Sequence, residues 1–253
     1  MNRSIWCERG GAAGLVLVLL HGMGANGAVW DGVKPLLATR WTGRWLIPDL
    51  RGHGRSPHAP PYGMGVHAAD VASLLGPDDE AIVVGHSMGG VVALVLATGM
   101  FGVRVRRAVA FSVKTAWSDD EHAKAEAVAR APARRFDTRA EAIDRYLRVS
   151  GLKGLVDPDT AAAAAGVCAD GGGFRLAADP LINRLGWTDF ASLAHMVKVP
   201  LQLLCGERDT IARPESMGRL GAEVMVLPGL GHNPHVEAPE AFWRAIEGGL
   251  GRD

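Results

Sequence analysis

The sequence is poor in cysteine, and neither sign of charge is in excess. Its 253 residues include only Cys7, Cys168 and Cys205, an odd number that lacks the spacing of a metal site. We therefore expect free thiols in a reducing compartment, and a disulfide scaffold is excluded. The 27 basic residues balance 27 acidic ones. A protein that binds nucleic acid through a basic face is therefore not expected.

Long hydrophobic runs are scarce too. The apolar stretch from Ala12 to Leu20 is much shorter than the roughly 20 residues that span a bilayer. Because Arg3 and Arg9 precede it, the stretch resembles a signal peptide. Glu8 interrupts the basic region, however, and His21-Gly22 follows the run directly. We therefore expect a buried strand here, and a cytoplasmic protein without membrane insertion.

Short apolar runs alternate with longer helical segments through much of the chain. The runs are Leu15 to Leu20, Trp45 to Ile47, Ala81 to Val84, Ala108 to Phe111, Leu201 to Cys205 and Val224 to Leu227. Most are continuously apolar, which is typical of strands covered on both faces. The alternation predicts an α/β fold with a mostly parallel sheet and helices on both faces. Ile5 to Arg9 is expected to add an antiparallel edge strand.

The alternation is interrupted between Phe111 and Val199. The intervening residues predict amphipathic helices over Asp119 to Ala131 and Arg139 to Ser150, and an Ala-rich helix that runs toward Ala169. We therefore expect residues 1–113 and 198–253 to form one α/β core. Residues 114–197 are expected to form a helical cap inserted between two core strands.

The strongest chemical signal is the motif Gly85-His86-Ser87-Met88-Gly89. It lies where a predicted buried strand ends and a helix begins, which is the setting of a nucleophilic serine on a strained turn. The glycines at its ends allow the helix and strand to approach closely. We therefore predict Ser87 as a nucleophile.

A serine hydroxyl needs a base, and the base needs an orienting carboxylate. His232 follows the last predicted strand, and His235 is its nearest competitor. Asp209 follows the preceding strand, and Glu207 is its rival. Loops at the carboxyl ends of parallel strands are where α/β sheets place their sites. The order Ser87, Asp209, His232 also agrees with that of nucleophile-elbow enzymes.

Acyl transfer also requires backbone N–H groups that stabilise an oxyanion. Met88, directly after the nucleophile and at a helix N-terminus, is expected to supply one. Met23, in the Gly-rich loop after the first central strand, is expected to supply the other.

Four motifs together resemble those of α/β-hydrolase fold enzymes, and they lie in both core segments. They are His21-Gly22-Met23-Gly24, Asp49 to Ser56, Gly85 to Gly90, and Gly231-His232 with Glu237 and Pro239. Within that superfamily the chain is similar to the esterase, enol-lactonase and cofactor-free perhydrolase branch. The resemblance implies a three-layer fold, the triad Ser87, Asp209 and His232, and the Met23 and Met88 amides. Ser87 argues against the dehalogenase and epoxide hydrolase branches, which use aspartate there.

These features predict a serine hydrolase that cleaves a small ester, lactone or thioester through an acyl-enzyme, without metal or organic cofactor. Carbon–carbon bond hydrolysis, perhydrolysis and acyl transfer on the same triad remain alternatives, as does a ligand receptor with little turnover. A small-molecule substrate is the only partner expected. Candidate pocket residues are His21, Gly22, Trp117, Phe136, Leu152 and Trp187.

Overall fold

The computed structural model describes residues 4–184 and 189–251. Its strands are β1 (Cys7–Gly10), β2 (Val16–Leu20), β3 (Arg44–Pro48), β4 (Glu80–His86), β5 (Arg104–Phe111), β6 (Arg135–Phe136), β7 (Val167–Asp170), β8 (Gly173–Leu176), β9 (Leu201–Gly206) and β10 (Val224–Leu227). Its α-helices are α1 (Lys34–Arg40), α2 (Met64–Ala72), α3 (Met88–Ala97), α4 (Asp119–Arg130), α5 (Arg139–Val149), α6 (Ala161–Ala164), α7 (Phe190–His195), α8 (Pro214–Met217), α9 (Pro234–Glu237) and α10 (Pro239–Glu247).

Seven strands form the central sheet, in the order β1-β3-β2-β4-β5-β9-β10. Six of them are parallel, and β1 pairs antiparallel with β3 at one edge. The mostly parallel sheet and the antiparallel edge strand predicted from the sequence are both confirmed. The parallel arrangement brings the carboxyl ends of β2, β4, β9 and β10 to one edge of the sheet, where the predicted chemistry lies.

The inner strands of the sheet are buried on both faces, which explains their continuously apolar sequences. Every residue of β2 is at most 1% exposed, and all ten residues of α3 are buried. One apolar cluster packs α2 and α3 against one face, and a second packs α1 and α10 against the other. The three-layer fold class is therefore confirmed. None of the helices in the described ranges combines the length and apolar content that crossing a bilayer requires.

The segment between β5 and β9 is not purely helical. Besides α4, α5, α6 and α7 it contains a three-stranded antiparallel sheet in the order β6-β8-β7. The predicted helix that runs toward Ala169 is wrong beyond α6, because the chain enters β7 at Val167. Gly171 and Gly172 have φ of +50° and +91° and join β7 to β8, as in a two-residue hairpin loop. The role of this segment as a cap stays a prediction.

Five histidines are buried within the fold: His21, His53, His67, His86 and His235. Burial lowers the pKa of each below its ordinary value, to about 4 for His67 and about 3 for His235. Among the described residues, neither ring nitrogen of His67 has a hydrogen-bond partner. Each of these side chains is therefore held neutral in the folded protein at pH values where the unfolded chain binds a proton.

We expect the free energy of unfolding to fall as the pH drops from 7 to 5. A histidine held neutral loses about 1.4 kcal/mol of stabilisation per pH unit below its unfolded pKa of about 6.5. Denaturant unfolding at half-unit pH steps measures the slope. His67→Phe should make it shallower, whereas His195→Phe, on an exposed side chain, should not. A stability that is constant between pH 7 and pH 5 would contradict the expectation.

Candidate active site

Ser87 lies on a strained turn between β4 and α3. Its φ of 50° and ψ of −115° place it in a region that non-glycine residues rarely adopt, and such strain concentrates at functional sites. The Ser87 N–H donates to the Phe111 carbonyl (2.9 Å), and the Ser87 carbonyl accepts from the Gly90 N–H (2.9 Å). The turn is therefore anchored both to β5 and to α3.

The glycines of the motif are required by close backbone approaches. A Cβ atom on Gly85 would lie 2.1 Å from the Gly89 carbonyl oxygen, and one on Gly89 would lie 2.6 Å from the His21 carbonyl oxygen. Neither neighbour can move without displacing backbone. The sequence pattern around Ser87 thus follows from the packing of α3 on the strand ends.

The structure brings His232 and Asp209 into direct contact. The His232 Nδ1–H donates to Asp209 Oδ2 (2.9 Å), and Oδ1 lies 3.1 Å from the same nitrogen. Asp209 Oδ1 also accepts from the Ile211 and Ala212 N–H groups, at 2.9 Å each. Burial alone would raise the pKa of Asp209, but the hydrogen bonds from His232 and these amides lower it below its ordinary value. Asp209 is therefore an ionised, fixed acceptor for the imidazole.

Two further residues hold the His232 loop. The Glu237 carboxylate accepts from the Gly231 N–H (2.7 Å) and the Asn233 N–H (3.0 Å), on both sides of His232. His86, the residue before Ser87, donates from Nε2 to the His232 carbonyl (2.8 Å). The histidine loop is thereby tied to the serine turn. Glu237 and His86 each belong to a sequence motif, but neither motif predicts these contacts.

The competing residues are engaged elsewhere. His235 is fully buried against Trp30 and Phe111, and burial lowers its pKa to about 3. Glu207 accepts from the Gly229 N–H (2.7 Å) and is exposed. The geometry therefore favours His232 over His235 as a base, and Asp209 over Glu207 as its partner.

Ser87 opens on a mostly apolar cavity. Its lining consists of Ser87 with Met23, Met64, Met88, Val91, Val113, Lys114, Trp117, Ala125, Asn183, Phe190 and Ile211. The predicted oxyanion residues Met23 and Met88 therefore border the same space as the serine. The Met88 N–H belongs to the first turn of α3, where a helix leaves N–H groups without intrahelical acceptors.

The predicted pocket residues separate into two groups. In the first group, Trp117 lines the cavity. Gly22 lies beside the nucleophile turn, since a Cβ atom on Gly22 would be 3.3 Å from Ser87 Cβ. His21 does not line it: the ring is fully buried, donates from Nδ1 to the Gly22 carbonyl (2.8 Å) and accepts at Nε2 from the Leu50 N–H (2.9 Å). Both nitrogens of His21 therefore serve the loop backbone.

Phe136 and Leu152 are not among the cavity residues either. Phe136 pairs with Phe174 in the small sheet, and Leu152 is buried in the cluster on the opposite face of the central sheet from α3. Trp187 lies outside the described residues. Lys114, Met64 and Asn183 were missed, because sequence patterns do not show which side chains of separate elements meet.

No described group of three or more His, Cys, Asp or Glu side chains could hold a metal ion. The observed arrangement instead offers a strained serine, a histidine fixed by a carboxylate, and a helix N-terminus beside an apolar cavity. Such a set suits proton transfer coupled to attack on a carbonyl group.

Comparison with known proteins gives three results. Residues 17–245 match the model described as the Alpha/beta hydrolase family. A pimeloyl-[acyl-carrier protein] methyl ester esterase of Neisseria meningitidis serogroup B (strain ATCC BAA-335 / MC58) is 29% identical over 92% of this chain and 93% of its own length. The Aeromonas hydrophila enzyme of the same name is 45% identical, but over only 37% of this chain and 36% of its own length.

Two solved structures are similar to this chain over nearly all of its length. The structure of E-2-(acetamidomethylene)succinate hydrolase is similar with a TM-score of 0.77 and 25% identity, and covers 96% of this chain and 94% of that one. A thioesterase domain from the curacin biosynthetic pathway has a TM-score of 0.76 and 23% identity, with coverage of 95% and 93%. The second likeness bears on the fold alone.

Proposed function

The chain belongs to the alpha/beta hydrolase family, and we propose that it is a serine hydrolase of ester or thioester bonds whose catalytic triad is Ser87, His232 and Asp209. The observation that carries the assignment is the strained Ser87 turn, which opens on the cavity and is tied through His86 to the loop of His232.

The proposed reaction has two steps. His232 Nε2 takes the Ser87 hydroxyl proton as the oxygen attacks the substrate carbonyl, while Asp209 stabilises the imidazolium. The Met23 and Met88 N–H groups bind the oxyanion, and His232 then protonates the departing alcohol or thiol. Water attacks the acyl-enzyme by the reverse proton transfers and releases the acid.

The substrate in this proposal is a small molecule with an apolar acyl part. Met23, Met64 and Val91 give the cavity its apolar wall, which suits an acyl chain better than a polar group. The methyl ester in the names of the Neisseria relatives favours a simple alkyl ester, and a lactone belongs to the same proposal. We also propose a cytoplasmic location, which agrees with reading residues 12–20 as a buried strand and the three cysteines as free thiols.

A fluorophosphonate probe tests the nucleophile assignment directly. We expect one adduct by intact mass, mapped to the peptide that contains Ser87, because an activated serine attacks phosphorus as it attacks a carbonyl. Ser87→Ala should give no adduct. Ser73→Ala, on an exposed serine of the loop after α2, should label like the original chain. An adduct at another residue, or no adduct in folded protein that hydrolyses esters, would contradict the assignment.

A further inference from the structure

Lys114 is the one charged side chain among the described residues that line the cavity. It follows β5, after a second strained position: Ser112 has a φ of 51°, and its N–H donates to the Leu204 carbonyl (3.0 Å). Strained backbone of this kind concentrates at functional sites. The turn sends Val113 and Lys114 to the cavity wall that they share with Ser87.

The Lys114 ammonium has capacity for a further partner. It lies 4.4 Å from the centroid of the Trp117 ring, and among the described residues its single hydrogen-bond acceptor is Glu121. An ammonium carries three N–H donors. Glu121 does not line the cavity, and its side chain is 40% exposed, against 18% for Lys114. The lysine thus stands between an exposed carboxylate and the apolar space in front of Ser87.

A charge in such a place discriminates between substrates. A neutral chain that fills the cavity would displace water from the ammonium without replacing its hydrogen bonds, which is unfavourable. A carboxylate at the far end of the substrate would replace them with a charge-assisted bond. An apolar middle and one anionic end therefore match the lining better than a fully apolar chain does.

From this geometry we propose that Lys114 is a specificity-determining residue that selects esters or thioesters carrying a carboxylate, such as a monoester of a dicarboxylic acid. The inference rests on the proposed function of Ser87 and goes beyond it, because it names the charge of the substrate. Lys114 binds the substrate through its ammonium and takes no part in bond cleavage.

The test compares two methyl esters of equal chain length, monomethyl adipate and methyl hexanoate. The readout is the kcat/KM value of monomethyl adipate divided by that of methyl hexanoate, measured with the 253-residue chain. Lys114→Met should lower this ratio at least about tenfold, the size expected for one lost charge-assisted hydrogen bond. Glu121→Gln should raise it, because a competing carboxylate is removed while glutamine keeps the capping box with Ser118.

The matched control is Lys124→Met. Lys124 lies on α4, with a side chain that is 73% exposed, so the same change of charge outside the cavity should leave the ratio unaltered. The hexanoate ester of glycolic acid, compared with ethyl hexanoate, moves the carboxylate to the leaving group. A preference for the anion in either pair supports the proposal, and the pair that shows it tells which end faces Lys114.

A binding measurement separates this proposal from that of the triad. In Ser87→Ala, the Kd of monomethyl adipate should rise at least about tenfold when Lys114→Met is added, and that of methyl hexanoate should not. If Ser87→Ala still hydrolyses esters, the assignment of the triad fails. The Kd values still test whether Lys114 binds the carboxylate of the substrate. Equal losses for the two esters of each pair in Lys114→Met would mean that Lys114 only anchors α4. That result, or a ratio that is unchanged in both pairs, would overturn the proposal.

Discussion

Ser87→Ala is expected to lower kcat/KM at least about 10³-fold for any ester that the chain hydrolyses. The variant has no oxygen to form the acyl-enzyme, so only binding and the oxyanion site remain. The fold should persist, because alanine keeps the Cβ atom and meets the same backbone strain at φ 50°. We expect a melting temperature within about 4 °C of the original, which corresponds to less than about 1 kcal/mol.

Two measurements make this result specific. Initial rates and thermal melts on the same preparation separate lost chemistry from lost structure. Ser73→Ala provides the matched change, because Ser73 is exposed and its hydroxyl donates to the Asp70 carbonyl (2.6 Å). Its activity should stay within about twofold, as surface substitutions perturb a fold little. Undiminished turnover in Ser87→Ala would refute the assignment of the nucleophile.

The core of the fold was predictable because its signals are local. Val16 to Leu20 in β2 and Ala81 to Val84 in β4 are apolar at successive positions, as double-sided burial requires. The glycine at position 85 is dictated by a backbone approach within the motif itself, since a Cβ there would meet the Gly89 carbonyl. Asp209 and His232 could be placed near one another since both follow strands of one parallel sheet, and the structure joins them by a hydrogen bond.

The segment between β5 and β9 was less predictable, because its short strands depend on tertiary pairing. β6 has two residues, and β7 follows an alanine run that favours helix by propensity. Strand β7 forms because it pairs with β8, and the local sequence does not predict that pairing. Phe136 and Leu152 were predicted to line the pocket only because they are apolar. An apolar residue type does not indicate whether the side chain packs in the core or lines a cavity.

Hydrogen bonds to the backbone of Gly22 and Leu50 explain why His21, which was predicted to lie in the pocket, does not line the cavity. A histidine beside a glycine loop near the nucleophile suggested a pocket residue, whereas both of its nitrogens bond to neighbouring backbone. Lys114 differs from His21 in that it lines the cavity but was not predicted to do so, since a single lysine after a strand belongs to no recognisable sequence motif. Its place beside Ser87 becomes visible only when α4 and β5 are seen together.

Asp209→Asn is expected to lower kcat about 10³- to 10⁴-fold with small effects on KM. The asparagine oxygen can still accept from the Ile211 and Ala212 N–H groups, as Asp209 Oδ1 does now. Its amide would then face His232 Nδ1 with a donor. That nitrogen would have to accept, so the ring proton moves to Nε2, where it blocks removal of the Ser87 proton. The imidazolium would also lose its counter-charge.

Glu207→Gln is the matched control, since it makes the same change two residues away. Glu207 is exposed and accepts from the Gly229 N–H (2.7 Å), a bond that a glutamine oxygen can replace. Its kcat should stay within about threefold, because that carboxylate does not touch His232. If Glu207→Gln were the more damaging change, the acid of the triad would have to be reassigned. Fluorophosphonate labelling of Asp209→Asn locates the defect. If labelling is slowed as strongly as kcat is lowered, the defect lies in activation of the serine. Labelling needs the same proton transfer as ester cleavage, but it does not depend on recognition of the substrate.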